Sequence, residues 1–146
     1  MTALIESVKT FIATYSGLES GAALLVNQLN GAPTQYSIEQ LPGARIAETY
    51  ITGKTLREYP FALSSIESNV DEAERIGNSG FYESFAEWLD TQSRAGTLPT
   101  LSATADGKTR TAVLIEALGW GIVITDGESG NAQYQIQCRL MFEQQA

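Results

Sequence analysis

Seventeen carboxylates, six tyrosines, two tryptophans and one cysteine carry most of the reactive chemistry in this chain, which has no histidine. Without an imidazole, Ser-His-Asp and Cys-His nucleophile systems, His-based acetyl transfer and the usual zinc ligand sets are excluded. Each uses that ring to move a proton or to bind metal near neutral pH. Paired carboxylates remain as candidates for hydrolytic acid/base work or for holding a divalent cation. The tightest group, Asp71, Glu72 and Glu74, opens a helical pattern, where negative charge interacts favourably with the helix dipole. Asp126-Gly127-Glu128-Ser129-Gly130-Asn131 lacks the twelve-position spacing and closing Glu of a calcium loop, so it reads as a hairpin turn. Neither the Walker lysine motif nor the dinucleotide glycine fingerprint occurs, so phosphate chemistry has no anchor and no cofactor or metal is expected.

The aromatic residues read first as core. Phe81, Phe85, Trp88 and Trp120 fall at helical or strand spacing, which buries them, whereas Tyr82 points off the main helical stripe. Tyrosine and arginine are enriched at protein interfaces. The expected protein-contact residues are therefore Tyr50, Arg57 and Tyr59 on a hairpin, with Tyr82 and Arg139. The sole cysteine, Cys138, has no partner for an internal disulfide and sits on an apolar strand face, as a small buried hydrophobe.

A net charge of −8 with nine scattered Lys and Arg residues offers no basic stripe to displace counterions, so sequence-specific nucleic-acid binding is not expected. No apolar run reaches the ~18 to 20 residues of a membrane helix, and the N-terminus lacks a signal-peptide pattern. A soluble, intracellular protein with no membrane partner is expected. The 146 residues, 43% of them apolar, suffice for one domain with a core of its own.

The elements that would position these residues follow in order. Leu4, Ile5, Val8, Phe11, Ile12 and Tyr15 recur at helical spacing, with Thr2 to cap the start and Gly17 to end it. Leu24-Leu25-Val26 reads as a short strand. Thr34 to Glu39 reads as an extended segment with Tyr36 and Ile38 on one face, ending in Leu41-Pro42-Gly43. Two β-rich runs between Arg45 and Ser65 flank Thr52-Gly53-Lys54, a hairpin turn. Arg57, Tyr59, Phe61, Leu63 and Ser65 share one face of the second run, and Pro60, which lacks a ladder donor, places that strand at an edge or beside a bulge. Asn69 then caps a short helix that breaks at Gly77-Asn78, and Ser79 caps a second helix carrying Phe81, Phe85, Trp88, Leu89 and Gln92. Thr111 to Leu118, Trp120 to Thr125 and a long final strand read as a meander. That final strand is the clearest signal, because Ala132, Tyr134, Ile136, Cys138, Leu140 and Phe142 alternate with mostly polar residues. The expectation is a single α+β domain over residues 1–146, with a mainly antiparallel sheet and both main helices on one face.

Three segments together carry a family resemblance: Pro33-Thr34-Gln35-Tyr36-Ser37-Ile38-Glu39-Gln40-Leu41-Pro42-Gly43, Asn78-Ser79-Gly80-Phe81-Tyr82-Glu83-Ser84-Phe85-Ala86-Glu87-Trp88-Leu89, and Tyr134-Gln135-Ile136-Gln137-Cys138-Arg139-Leu140. In order and spacing the chain resembles the small tail-completion proteins of long-tailed phages and prophages of Gram-positive bacteria, also labelled minor capsid or tail-terminator proteins. The likeness runs from about Pro33 to Phe142. The resemblance implies a tail-terminator-like fold and a structural role without catalytic residues. It implies a ring of copies, commonly six, that stops polymerisation of the tail tube and presents a surface to the head-tail connector. It places the protein at the head-proximal end of the virion tail, after synthesis in the bacterial host cytoplasm. The competing classes are a small acidic adaptor or inhibitor of a host protein, and a histidine-independent enzyme using a carboxylate or tyrosine beside an aromatic pocket.

Overall fold

In a computed structural model that describes residues 3–19, 22–27, 35–68, 71–126 and 130–146, the long final strand becomes one of two parts of a central pair. The described elements, in chain order, are α1 (Leu4–Ile12), β1 (Ala23–Val26), β2 (Gln35–Gln40), β3 (Arg45–Thr49) and β4 (Thr55–Ser68). They continue as α2 (Glu72–Ala95), β5 (Arg110–Ala117), β6 (Ile122–Asp126) and β7 (Asn131–Gln144). Together the described residues form an α+β unit with a seven-stranded sheet. The sheet is mixed but mostly antiparallel, since only β1 and β2 run parallel.

Strands β4 and β7 pair along their whole length, from Thr55↔Gln144 to Ser68↔Asn131. Each carries two short strands end to end on its outer side. β2 and β3 line β4, and β5 and β6 line β7. The last three strands therefore do not form the expected meander, because β5 and β6 both pair with β7 rather than with each other. Pro60 likewise departs from expectation. β4 is an interior strand, and Pro60 falls in the gap between the rungs of β3, which reach Glu58, and those of β2, which start at Phe61. On that side its carbonyl accepts from Leu41 N at 3.2 Å. A residue in an antiparallel strand directs its N–H and C=O to the same side, so the donor that proline lacks would have met that gap.

Strand alternation sorts the core. Tyr59, Phe61, Leu63, Tyr134, Ile136, Cys138 and Leu140 are buried on the face that receives both helices. Helix α1 docks Val8, Phe11 and Ile12 there. Phe11 and Tyr15 tie it to Trp88 of α2, with ring centroids 5.2 and 4.9 Å apart. The helix ends at Ile12 rather than at Gly17, with Thr14 Oγ1 donating to Phe11 O at 2.6 Å. Gly17 serves a different purpose: a Cβ there would come within 2.4 Å of the Tyr15 ring. Ala3 occupies the N-cap without a side-chain bond, and Thr2 lies outside the described residues.

Helix α2 is continuous for 24 residues, where a break at Gly77-Asn78 and a second cap at Ser79 were expected. Asp71 caps it, accepting from Glu74 N at 2.9 Å, and Gly96 ends it in the left-handed conformation at φ 76°. Asn69, the expected cap, lies outside the described residues. The turn containing Gly127, Glu128 and Ser129 does too. A helical glycine costs only ~1 kcal/mol, which the packing of α2 outweighs, and Asn78 Nδ2 donates to Ser68 O at 2.9 Å. Gly77 has open space around its Cα. Gly77→Ala is therefore expected to raise stability by about 0.5–1 kcal/mol, measured by urea unfolding. A loss of stability would mean that the helix is interrupted there.

Candidate functional site

The five expected contact residues fall in three places. Tyr50 stands in the turn between β3 and β4, where its N–H donates to Lys54 O at 2.8 Å. Local desolvation and then the neighbouring Glu143 carboxylate raise the pKa of its phenol. Arg57 is half-buried, and its Nε donates to Thr55 Oγ1 at 3.0 Å. It joins Arg45, Arg110, Ile46 and Tyr59 around an open cleft of about 390 Å³. The cleft gathers three arginines of an acidic chain, but each is engaged: Arg45 with Glu58, Arg57 with Thr55, and Arg110 with Ser102 O at 2.7 Å.

Tyr59 and Tyr82 are core residues, contrary to expectation. Tyr59 is 5% exposed. Its hydroxyl donates to Gln40 Oε1 at 3.2 Å, and burial pushes its pKa up to about 12. Tyr82 is fully buried, sharing a hydrogen bond with Ser65 Oγ and reaching Tyr134 O at 3.5 Å. Burial raises its pKa strongly. The stripe that α2 buries on the sheet is Tyr82, Phe85 and Leu89. Phe81 and Trp88 turn toward α1 and are only half-buried. Because α2 has two packing partners, two aromatic stripes point inward and neither faces solvent.

Arg139 lies on the opposite sheet face, inside a row of alternating charge. Arg45 Nε meets Glu58 Oε2 at 2.5 Å, Arg139 Nη1 meets Glu58 Oε1 at 2.7 Å, and Arg139 Nη2 meets Glu116 Oε2 at 3.4 Å. The row thus crosses β3, β4, β7 and β5, starting positive at one edge and ending negative at the other. Sequence spacing gave no sign of it, because its four members come from four strands.

The exposed apolar surface also lay outside the sequence expectation. Trp120, read as core, is 72% exposed, and Leu118, Ile122, Val123 and Ile124 are each about half exposed. All belong to the short run ending in β6, which pairs with β7 on one side only among the described residues. The readable signal was the unbroken apolar sequence Ile122-Val123-Ile124, where a half-buried strand would alternate.

No family model matches the chain, and no curated protein matches it. Its chemistry must be read from the geometry. Among the described residues no cluster of three or more His, Cys, Asp or Glu side chains is placed to hold a metal ion. Asp71 and Glu74 are spent at the start of α2, where Glu74 also accepts from Ser68 Oγ. Cys138 is buried, and desolvation raises its pKa far from the thiolate range. Among the described residues no helix is long and apolar enough to cross a membrane. Among the described residues, what the arrangement offers outward is strand backbone without a strand partner, apolar side chains along β6 and unlike charges at opposite sheet edges.

Proposed function

We propose that this protein is a structural component of phage or prophage virion assembly, a tail terminator or tail-completion protein that caps the tail tube and supports head-tail joining. The observation that carries this reading is a sheet with unpaired backbone at both edges, at β1 and at β6 among the described residues. Such edges can be completed by other chains, and a head-to-tail arrangement whose rotation closes gives a ring of defined size instead of an open filament. The three segments that resemble tail-completion proteins supply the tail context. Its partners in this reading are further copies of itself, the tail-tube protein and the head-tail connector. The test is electron microscopy of particles assembled without this gene product. Tails of abnormal length or heads without tails are expected, and normal joined virions would reject the assembly role.

A further inference from the structure

We infer that the cleft around Arg57 and Arg110 is a binding site for a small organic carboxylate with an apolar body. The cleft lies level with Phe142 and Gln144, at the other end of β7 from the rungs of β6. The inference therefore goes beyond the assembly reading and does not depend on it.

Strand register brings the two arginines together. Arg57 of β4 is the rung partner of Phe142, and Arg110 of β5 is the partner of Gln144, two residues further along β7. These positions share the face that receives the helices, because Tyr59 and Leu140 lie two residues away from Arg57 and Phe142 on the same side. Two strand spacings and two residues separate the arginine α-carbons, about 12 Å, and both residues border one space of about 390 Å³. That volume falls within the ~300 to 1,000 Å³ of small-ligand sites. Helix α1 leaves the space uncovered because it begins there, with Leu4 on the cleft wall.

Charge is the second support. Each cleft arginine is engaged, but on different terms. Arg45 is tied to Glu58, and Glu58, the acid on the cleft wall, is held on both oxygens, by Arg45 and by Arg139. Arg57 Nε instead donates to the Thr55 hydroxyl at 3.0 Å, and Arg110 Nε to the Ser102 carbonyl at 2.7 Å. These neutral acceptors orient each guanidinium without cancelling its charge, and each bond uses one of five N–H donors. Desolvation lowers the Arg110 pKa, a penalty that an incoming anion relieves. The start of α1 adds to the field, since Ala3 supplies no side-chain cap to its first turn, where backbone N–H groups favour an anion.

The walls select the body of the ligand. Buried Tyr59 and Phe142 form the floor, with Ile46 and Leu4 at the rim. Such a surface favours an apolar group and gives inorganic phosphate nothing to cover. A net charge of −8 opposes a polyanion such as nucleic acid. A carboxylate matches the planar fork of a guanidinium, which binds it through two parallel N–H···O bonds.

Titration followed by amide NMR tests this on the full-length protein, with phenylpropionate as the probe and acetate, inorganic phosphate and phenylpropanol as comparisons. Phenylpropionate is expected to shift the amide signals of Leu4, Ile46, Arg57 and Phe142 and to bind about tenfold more tightly than each comparison. Arg57→Gln and Arg110→Gln are each expected to weaken that binding about tenfold. Ile46→Glu, at a position 48% exposed on β3, is expected to do the same by setting a like charge at the rim, and it decides the question if an arginine variant fails to fold. Absence of shifts, or shifts confined to other parts of the surface, would overturn the proposal. So would equal binding of phosphate or of the alcohol, or undiminished binding by the folded variants.

Discussion

Tyr82→Ala is expected to lower the unfolding free energy by about 3–5 kcal/mol, the range for deleting a large buried aromatic side chain. The ring packs edge-on to Phe81 with centroids 5.0 Å apart and stacks near Tyr134 at 6.0 Å, and its hydroxyl shares the proton link with Ser65. On the other side the chain between β5 and β6 passes so close that a Cβ on Gly121 would lie 2.4 Å from Tyr82 Cβ and Cγ. Gly121→Ala therefore overpacks the site and is expected to cost about 1–3 kcal/mol. The two changes should not add. With the ring removed, the new methyl group has room, so the double variant is expected to be no less stable than Tyr82→Ala alone. Urea unfolding of the four proteins decides it, and strictly additive losses would show that Gly121 and Tyr82 do not share one space.

Alkaline pH is expected to unfold this protein steeply. Burial raises the pKa of Tyr59 to about 12 and raises those of Tyr82 and Cys138 further above their ordinary values. A group whose folded pKa lies above its unfolded one stabilises the fold fully below the unfolded value and loses that contribution as pH rises toward the folded value. The unfolded values are ~8.5 for the thiol and ~10 for the phenols. Loss should begin near pH ~8.5 through Cys138 and steepen above pH ~10 as the tyrosines join, each group adding a slope of about 1.4 kcal/mol per pH unit. Urea midpoints between neutral pH and pH ~11 measure this. Cys138→Ala should remove the early part of the slope and Tyr82→Phe part of the later one. A profile identical in all three proteins would refute the assignment.

Local pattern made some elements legible and partner choice hid others. β7 was readable because one face meets the helices, so burial imposes a period of two from Ala132 to Phe142. Likewise, the β3–β4 hairpin followed from Gly53, which takes φ 89°. By contrast, the unity of α2 was hidden because a Gly77-Asn78 pair looks the same whether or not packing overrides its small local cost. Tyr82 was misplaced because its neighbours Phe81 and Phe85 suggest one stripe, whereas α2 is gripped on two sides. The end-to-end placement of β5 and β6 depends on which strand each one chooses, and no residue in either strand encodes that choice. For the same reason the charge row through Arg139 became visible only in three dimensions, although Arg139 itself was singled out.

The β4–β7 ladder joins Thr55–Ser68 to Asn131–Gln144 across the intervening α2, β5 and β6. During translation β7 leaves the ribosome after every other described strand, and until it arrives β4 lacks its main neighbour while β5 and β6 have none. A nascent chain halted before Asn131 would therefore expose the whole β7-facing edge of β4 together with β5 and β6, an invitation to misassembly. The expected kinetic signature is slow, late and cooperative acquisition of structure, since the rungs that matter most close the longest loops.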